Sequence, residues 1–195
     1  MNLDTPLLSG RFFDLEPLTN AHKDEMAAIM DCDPERWQIL LTSGAGEHFP
    51  AYWDAMVNSP RRLSFAARHK ASGRIVGSSA FIDIEPVHRT VEIGGTWFHP
   101  EFRGTALNPE AKYLMLAHAF AAGALRCSFS VDSRNSHSQA AVTKLGATRE
   151  GVIRHHRVTW TGHRRDSVIF SIIDAEWPRV KAGLETRLDA FRQAA

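Results

Sequence analysis

Hydrophobic residues along the chain recur at two different spacings, which predict alternating helices and strands. Apolar residues fall at roughly helical spacing over residues 19–41, where Pro34 interrupts them, so two short helices are predicted there. The aromatic-rich segment 49–59 predicts a third helix. Segments 62–69 and 75–85 have strand character and are joined by the turn "KASGR", which predicts a β-hairpin.

The second half of the chain continues this alternation. Its predicted elements are a strand, a helix, a strand, a helix, a hairpin and a C-terminal helix, at residues 89–100, 109–122, 125–131, 135–145, 151–173 and 176–191. In the strand after Gly123, a helix-ending glycine, every second side chain is apolar and should face the same way: Leu125, Cys127, Phe129 and Val131. Strand–helix–strand order favours parallel pairing and hairpins favour antiparallel pairing, so a mixed α/β sheet is predicted.

Composition narrows the class of protein. The 195 residues, 44% hydrophobic and 23% charged, predict one globular domain over residues 1–195. A net charge of +1, from 23 basic and 22 acidic residues, gives no reason to expect a nucleic-acid or anionic-membrane partner. Cys32 and Cys127 form no Cys-x-x-Cys pair, so neither a disulfide framework nor a zinc site is expected. With no signal peptide and no long apolar run, a cytoplasmic location is expected.

The segment "HPEFRGTALN" offers a binding site for an anion. Asn108 followed by Pro109 predicts a helix start, so the turn before it directs backbone N–H groups outward at a helix N-terminus. Arg103 adds a positive charge, which suits a phosphate or pyrophosphate. The alternative is an ordinary capped helix start. The chain has no G-x-x-x-x-G-K-[ST] and no G-x-G-x-x-G, which disfavours nucleotide hydrolysis and dinucleotide binding.

Taken in order, these motifs resemble the GNAT superfamily of acyl-CoA-dependent N-acetyltransferases, most of all its RimJ/RimL-like branch. The resemblance covers about residues 7–173 and is carried by "HPEFRGTALN", "VDSRNSHS" and "KLGATREG". It implies a single-domain α/β GNAT fold, with a mixed, mostly antiparallel central sheet flanked by helices and splayed between the family's fourth and fifth strands. Gly94 and Gly95 would lie at a bulge beside this opening. The alternative is that they only relieve crowding against Trp97.

The resemblance also implies which residues hold acetyl-CoA. The signature R-x-x-G-x-[GA] falls on residues 103–108, whose backbone amides would bind the pyrophosphate. Ala106 and Asn108 depart from its fourth and sixth positions, although Asn108, Glu110 and Lys112 match a pattern common in the RimL-like branch. The complete set of coenzyme-binding residues implied is Trp97, Phe98, His99, Arg103, Gly104, Thr105, Ala106, Leu107, Asn108, Asn135 and Ser138.

Two catalytic residues are implied as well. Glu92 matches the strand glutamate that acts as general base in several family members. The alternative is an exposed carboxylate paired with Arg89 or another cation. Many relatives carry a Tyr that protonates the leaving thiolate where this chain has Val142, so Ser138 is the substitute donor, and water or no dedicated acid is the alternative.

The implied function is acetyl transfer from acetyl-CoA to a primary amine, by direct attack in a ternary complex. The resemblance favours a protein or peptide N-terminal α-amine, for example of a ribosomal protein, and acidic residues such as Asp83 and Glu85 could attract it. One alternative is a non-catalytic acyl-CoA-binding or regulatory module, which Val142 favours. The other is a polyamine or amino-sugar acetyltransferase. A homodimer is left open.

Other chemistry is disfavoured. Three histidines of the last hairpin, at positions 155, 156 and 163, are not expected to bind a metal, because neighbouring strand residues point to opposite faces and a carboxylate ligand is missing. Cys127 is expected in the core, not as a nucleophile. An aromatic group, which either packs in the core or walls a substrate groove, comprises Trp37, Phe49, Tyr52 and Trp53.

Overall fold

A computed structural model of the protein describes residues 1–193. Its strands are β1 (Leu8–Ser9), β2 (Phe13–Pro17), β3 (Arg62–His69), β4 (Ile75–Glu85), β5 (Thr90–Phe98), β6 (Arg126–Asp132), β7 (Thr148–Val158) and β8 (Arg164–Ile173). Its α-helices are α1 (Lys23–Met30), α2 (Pro34–Trp37), α3 (Phe49–Asn58), α4 (Leu107–Ala121), α5 (Ser136–Lys144) and α6 (Trp177–Gln193). Every predicted helix and strand is therefore present, with small changes at the ends.

All of these strands belong to one sheet in the order β1-β2-β3-β4-β5-β6-β8-β7. Only β5 and β6 run parallel, joined by α4, and all other neighbours are antiparallel. The predicted mixed sheet is therefore confirmed. Its parallel pair follows from the strand–helix–strand order of the sequence.

The N-terminal strands β1 and β2 were not predicted, because their alternation is too short to stand out. Phe13 and Leu15 are buried between polar neighbours. The start of β2 is fixed from a distance by Glu110 of α4, whose carboxylate accepts hydrogen bonds from the backbone N–H groups of Arg11, Phe12 and Phe13. A buried carboxylate satisfied by several N–H donors is a stable arrangement.

The two faces of the sheet are covered differently. Helices α4 and α6 pack on one face, over a large core that contains Met115, Phe129 and Ile172. On the other face a smaller core includes residues of α1, α2 and α3 and of β3 to β5 only, among them Trp37 and Trp97. On this second face, β6 and β8 carry mainly polar residues.

The aromatic residues whose role was left open belong mostly to the smaller core. Trp37, Tyr52 and Trp53 are buried there, and Phe49 packs against it half-buried. Trp37 stacks on Trp97 with ring centroids 5.5 Å apart and planes 5° from parallel. Core packing therefore accounts for this group.

Two details of the prediction are wrong. Helix α4 starts at Leu107, so Asn108 is not its N-cap; instead, the Thr105 hydroxyl accepts a hydrogen bond from the Leu107 N–H at 3.3 Å. Pro109 fits the third helical position, because the first N–H groups of a helix have no intrahelical acceptor. Leu125 lies before β6 and is 40% exposed, because it belongs to the connection after α4 and not to the strand.

Candidate functional site

The parallel strands β5 and β6 separate soon after they meet. They pair at Thr90–Arg126, Val91–Cys127 and Glu92–Ser128, and no later pair occurs within the described residues. Farther along β5, the register against β4 shifts by one residue between the pairs Ala80–Gly94 and Ser78–Trp97. The strands thus open a split, as predicted, with a bulge on one of its sides.

Glycine is required at this bulge. Gly95 has φ +57°, a conformation that L-residues with a side chain rarely adopt. A Cβ on Gly95 would approach Arg62 to 2.4 Å, and one on Gly94 would approach Ile82 to 2.8 Å and Glu92 to 3.1 Å. The glycines therefore make room for the neighbours of the split, and the alternative that they relieve crowding against Trp97 is wrong.

The turn between β5 and α4 presents several unpaired backbone donors. Within residues 1–193, no acceptor is found for the N–H groups of Gly104, Thr105, Ala106 and Asn108. Gly104 has φ +77°, and a Cβ there would point into open space. Free N–H groups clustered at the start of a long helix form a site for an anion.

Two guanidinium groups lie beside this turn. Arg103 forms an ion pair with Asp33 and donates to the Phe98 carbonyl at 3.3 Å. Arg36 of α2 is half-buried and has no ion-pair partner in the described part of the chain. Burial, and then the positive charge of Arg103, lower the pKa of Arg36. The sequence prediction missed Arg36, whose charge lies close enough to that of Arg103 to interact with it.

The residues of β5 beyond the bulge face the split with their backbone only. Trp97 and Phe98 are buried, in the smaller and larger core respectively. The His99 ring accepts a hydrogen bond from the Glu101 N–H at 3.3 Å. Trp97 Nε1 is buried without a hydrogen-bond partner among residues 1–193. Because these side chains are packed in the two cores or engaged locally, we expect the backbone edge of β5 to make the contact with a ligand in the split.

Glu92 is the last residue of β5 paired with β6, and its carboxyl lies at the start of the split. Burial raises the pKa of Glu92 to about 6, and the negative charge of Asp83 adds to the effect, while Arg157 and Arg165 oppose it. It has no ion-pair partner within the described chain, and Arg89 instead donates to the Gly123 carbonyl at 2.7 Å. The proposed pairing with Arg89 is therefore wrong. A carboxylate with a pKa near neutrality suits a general base.

Asn135 and Ser138 begin α5 on the other side of the split. The Asn135 side chain caps the helix by accepting a hydrogen bond from the Ser138 N–H at 3.0 Å. The hydroxyl of Ser138 has no protein partner among the residues described. Val142 is buried in the larger core and has no proton to donate.

A buried lysine, which the sequence prediction did not assign to the site, supports the bulge. Lys112 of α4 is 5% exposed, and its Nζ donates to Thr96 Oγ1 at 2.6 Å and to Ser79 Oγ at 3.1 Å. The two hydroxyls are 2.8 Å apart. Burial lowers the pKa of Lys112 to about 7. A lysine among apolar residues of a helix was the signal that could have revealed it.

The tip of the β7–β8 hairpin closes over the connection between α2 and α3. Trp160 donates from its backbone to the Leu41 carbonyl at 3.1 Å and from its indole to the Trp37 carbonyl at 2.8 Å. Its ring also packs against His48, with centroids 4.8 Å apart. These contacts fix the hairpin tip against the connection between α2 and α3, on the sheet face covered by the smaller core.

Other reactive groups lie elsewhere. Cys127 is fully buried on the opposite sheet face, and burial raises its pKa to about 12. Within residues 1–193, no three His, Cys, Asp or Glu side chains are grouped as metal ligands would be. No helix in this part of the chain combines the length and apolarity needed to cross a membrane.

The mixed sheet, its split and the turn with free N–H groups before α4 are together typical of an α/β acyltransferase fold. Residues 13–148 match the family model described as an acetyltransferase (GNAT) domain. The chain therefore belongs to the GNAT acetyltransferase family, whose members use acetyl-CoA.

Several relatives agree with this. An uncharacterised N-acetyltransferase of Mycobacterium bovis is 30% identical over an alignment 138 residues long, which covers 63% of this chain and 81% of the relative. A GCN5-related N-acetyltransferase from Brucella melitensis has 31% identity and a TM-score of 0.88, covering 95% of this chain and 86% of that one. RimJ of Mycobacterium smegmatis, solved with CoA-disulfide, shares the fold with a TM-score of 0.75 at 20% identity, covering 93% and 91%.

Proposed function

We propose that this acetyltransferase moves the acetyl group of acetyl-CoA to an α-amine at the N-terminus of a protein or peptide, by direct attack in a ternary complex. The single observation that carries the assignment of roles is the position of Glu92. Its carboxyl, with a pKa of about 6, stands where β5 and β6 separate. The free N–H groups of the turn after β5 lie beyond it along the same strand.

The coenzyme would be held at the turn. The N–H groups of Gly104, Thr105, Ala106 and Asn108 fit a pyrophosphate, because each lacks a protein acceptor within residues 1–193 and the helix dipole favours negative charge there. Arg103 and the nearby Arg36 supply positive charge. The free backbone edge of β5 would bind the pantetheine arm, which places the thioester near Glu92.

The chemistry then needs one bond exchange. The amine nitrogen bonds to the thioester carbonyl carbon, the carbon–sulfur bond breaks, and CoA leaves as a thiol. Glu92 takes the amine proton, directly or through water, and Ser138 or water protonates the sulfur. An acetyl-cysteine enzyme is disfavoured at both cysteines. Cys127 is buried on the other face with a pKa raised to about 12, and although Cys32 is exposed, partial burial of its thiol and the charge of Asp33 raise its pKa.

The acid–base chemistry favours an α-amine as acceptor. An α-amine has a pKa of about 7.7–8.0 and a lysine about 10.4, so near pH 7 roughly a tenth of the first is neutral and less than a thousandth of the second. A lone glutamate can deprotonate the α-amine more easily. Structures named as ribosomal-protein acetyltransferases, from Vibrio cholerae and Vibrio fischeri, share the fold at 18% and 14% identity. This likeness of fold is consistent with a protein N-terminus as the acceptor.

The test compares two kinds of amine in otherwise equal peptides. Peptides that begin with Ser or Ala are incubated with acetyl-CoA beside N-terminally blocked versions that contain one lysine, and the gain of acetyl mass is followed at pH 7 and 8.5. We expect the free N-termini to be labelled faster, with the larger advantage at pH 7. Faster labelling of the blocked peptides, or of spermidine over every peptide, would contradict the acceptor assignment.

A further inference from the structure

A buried arginine beside the split has no carboxylate in contact with it. Arg165 of β8 is 7% exposed, yet it forms no ion pair with any residue in the range 1–193. Its Nη2 donates to the Ser130 carbonyl at 2.8 Å and approaches the Ser130 hydroxyl at 3.3 Å, while its Nε is buried without a partner. A buried guanidinium with an unused N–H is costly, which is consistent with an anion that the protein itself does not supply.

The nearest carboxylates do not fill this role. Asp132 lies on the same face of the sheet, but Arg134 engages both of its oxygens, at 3.0 and 2.8 Å. Asp132 and Glu92 oppose the decrease that burial imposes on the pKa of Arg165, although neither lies within ion-pair distance. The Arg165 charge is therefore incompletely balanced.

Register places this guanidinium close to Glu92. Glu92 pairs with Ser128, and Ser130 is the next residue of β6 on the same face. Neighbouring strands are about 4.8 Å apart and residues two apart in a strand about 6.6 Å, so the Cα atoms of Glu92 and Ser130 are roughly 8 Å apart. Arg165 contacts Ser130, so it lies across the open end of the split from the carboxyl that would take the amine proton.

The surface between these two charges is polar. On the face that carries Glu92, β6 and β8 present four serines, with Ile169 as the apolar residue opposite Ser130: Ser128, Ser130, Ser167 and Ser171. Described residues include four buried side-chain N or O atoms without a hydrogen-bond partner, and three of these are on β7 and β8: His156 Nδ1, Arg165 Nε and Ser167 Oγ. A serine-lined floor with unused hydrogen-bonding groups suits a ligand that brings oxygen atoms.

We propose that Arg165 binds a carboxylate of the acceptor, so that the preferred acceptor carries a negative charge within a few bonds of its amine. The amine would face Glu92 and the carboxylate Arg165. This inference rests on the proposed acetylation of an amine at Glu92. Two sources provide the same chemistry: the acidic side chain of a peptide's first residue and the α-carboxylate of a free amino acid.

The experiment measures kcat/KM for matched acidic and neutral acceptors. The peptide pair is Asp-Ala-Ala-amide and Asn-Ala-Ala-amide, and the free pair is alanine and alaninamide. In the wild type we expect the acidic member of one pair to be preferred by roughly tenfold or more, because a hydrogen-bonded charge pair in a partly buried site is strong. The pair that shows the preference identifies the source of the carboxylate.

Two variants assign the preference to its residue. Arg165→Met should remove it, whereas Arg164→Met, which changes the exposed neighbour on the opposite face of β8, should retain it. Thermal unfolding is measured for both variants. The proposal is overturned if the wild type does not distinguish either pair, or if the preference survives in Arg165→Met.

A binding measurement separates failure of this inference from failure of the proposed function. If the wild type acetylates neutral amines as fast as acidic ones, only the inference fails. If no amine is acetylated, the proposed function fails, and N-acetylaspartate is compared with N-acetylasparagine for thermal stabilisation in the presence of CoA. A larger shift with N-acetylaspartate that Arg165→Met abolishes would still support the carboxylate site, and equal shifts would overturn it.

Discussion

The two ends of the split are built in different ways. At the end proposed to hold the coenzyme, the donors are backbone N–H groups from one short turn, residues 103–108, and Arg103 adds a positive charge. At the end proposed to bind the acceptor, the groups are side chains from separate strands, Glu92 of β5, Ser130 of β6 and Arg165 of β8. The first end depends on local conformation, and the second depends on strand register.

This difference predicts how each end responds to substitution. A change at the turn should affect coenzyme binding and leave the acid–base chemistry intact. A change on the polar sheet face should affect turnover or choice of acceptor and leave coenzyme binding intact. Each substitution below tests whether the two ends are separable in this way.

The largest effect is expected for Gly104→Val at the coenzyme end. Gly104 has φ +77°, so a β-branched residue would be strained and would alter the turn that carries the free N–H groups. Wild-type protein at a CoA concentration of 100 Kd should gain about 2.7 kcal/mol in stability, and the variant should gain almost none. Thermal unfolding with and without CoA measures this.

Gly73→Val provides a matched control for backbone strain. Gly73 has φ +68°, lies in the turn between β3 and β4, and has open space for 4 Å around the point that a Cβ would occupy. The Gly73→Val variant should have a lower free energy of unfolding without ligand, as Gly104→Val should. Unlike Gly104→Val, it should still be stabilised by CoA. An equal CoA response in Gly104→Val and the wild type would refute the turn as the coenzyme site.

At the acceptor end, Glu92→Gln should lower kcat by roughly a hundredfold or more, as expected for loss of a general base. Stabilisation by CoA should be unchanged. In the wild type, kcat should rise with pH through about 6, because only the deprotonated carboxylate accepts a proton. The variant should lack this rise. Asp189→Asn, which changes a carboxylate of α6 paired with Arg11, is the control.

The same substitution tests the physical origin of the Glu92 pKa. A folded-state pKa raised from 4.5 to about 6 means that the native state binds this proton more tightly than the unfolded state does. The free energy of unfolding should therefore fall as the pH rises from about 4.5 to about 6. Glu92→Gln should therefore increase the free energy of unfolding at pH 7 by about 1–2 kcal/mol. An unchanged pH–rate profile in the variant would remove Glu92 from the mechanism.

The contrast between the two ends also explains what the sequence could predict. The turn, its glycine and the helix after it are contiguous, so pattern and motif were enough to locate them. Helices and long strands were predicted for the same reason, since their spacing is local. The N-cap was assigned wrongly to Asn108 because Thr105, three residues earlier, supplies the first hydrogen bond instead.

The groups that the sequence did not reveal depend on distant pairing. Glu110 fixes the start of β2 across about a hundred residues, and Lys112 meets Ser79 and Thr96 only because α4 crosses the bulge. Arg165 was missed, although alternation along β8 places its side chain on the other face of the sheet from the buried Val168 and Phe170. Its position near Glu92 requires the order β5-β6-β8, which one sequence does not specify.

Lys112 lies at the bulge of β5, and Lys112→Met should change how the free energy of unfolding depends on pH. A folded-state pKa of about 7, against 10.5 for an ordinary lysine, means that the unfolded state binds more protons between these values. Wild-type stability should then rise with pH in this window, by about 1 kcal/mol between pH 7 and 8, and the variant should lack this contribution. Denaturant unfolding at several pH values measures the difference.

The control for this effect is Lys144→Met, which removes an exposed lysine at the end of α5. Its pH dependence should follow that of the wild type. Parallel stability curves for the wild type and Lys112→Met would show that the lysine is not held with a lowered pKa. A higher KM for acetyl-CoA in Lys112→Met would further indicate that the bulge positions the coenzyme.

The smallest effect is expected for Ser138→Ala, in the first turn of α5. The substitution leaves the backbone N–H that Asn135 caps, so α5 should keep its start, and only the hydroxyl is lost. Water can replace a hydroxyl as proton donor to a thiolate, so kcat should fall less than tenfold, far less than for Glu92→Gln. Ser136→Ala, at an exposed position in the same first turn of α5, controls for helix propensity. Steady-state kcat is measured at several pH values. An unchanged kcat in Ser138→Ala would indicate that water protonates the thiolate, and a decrease as large as that of Glu92→Gln would indicate that Ser138 is the principal acid.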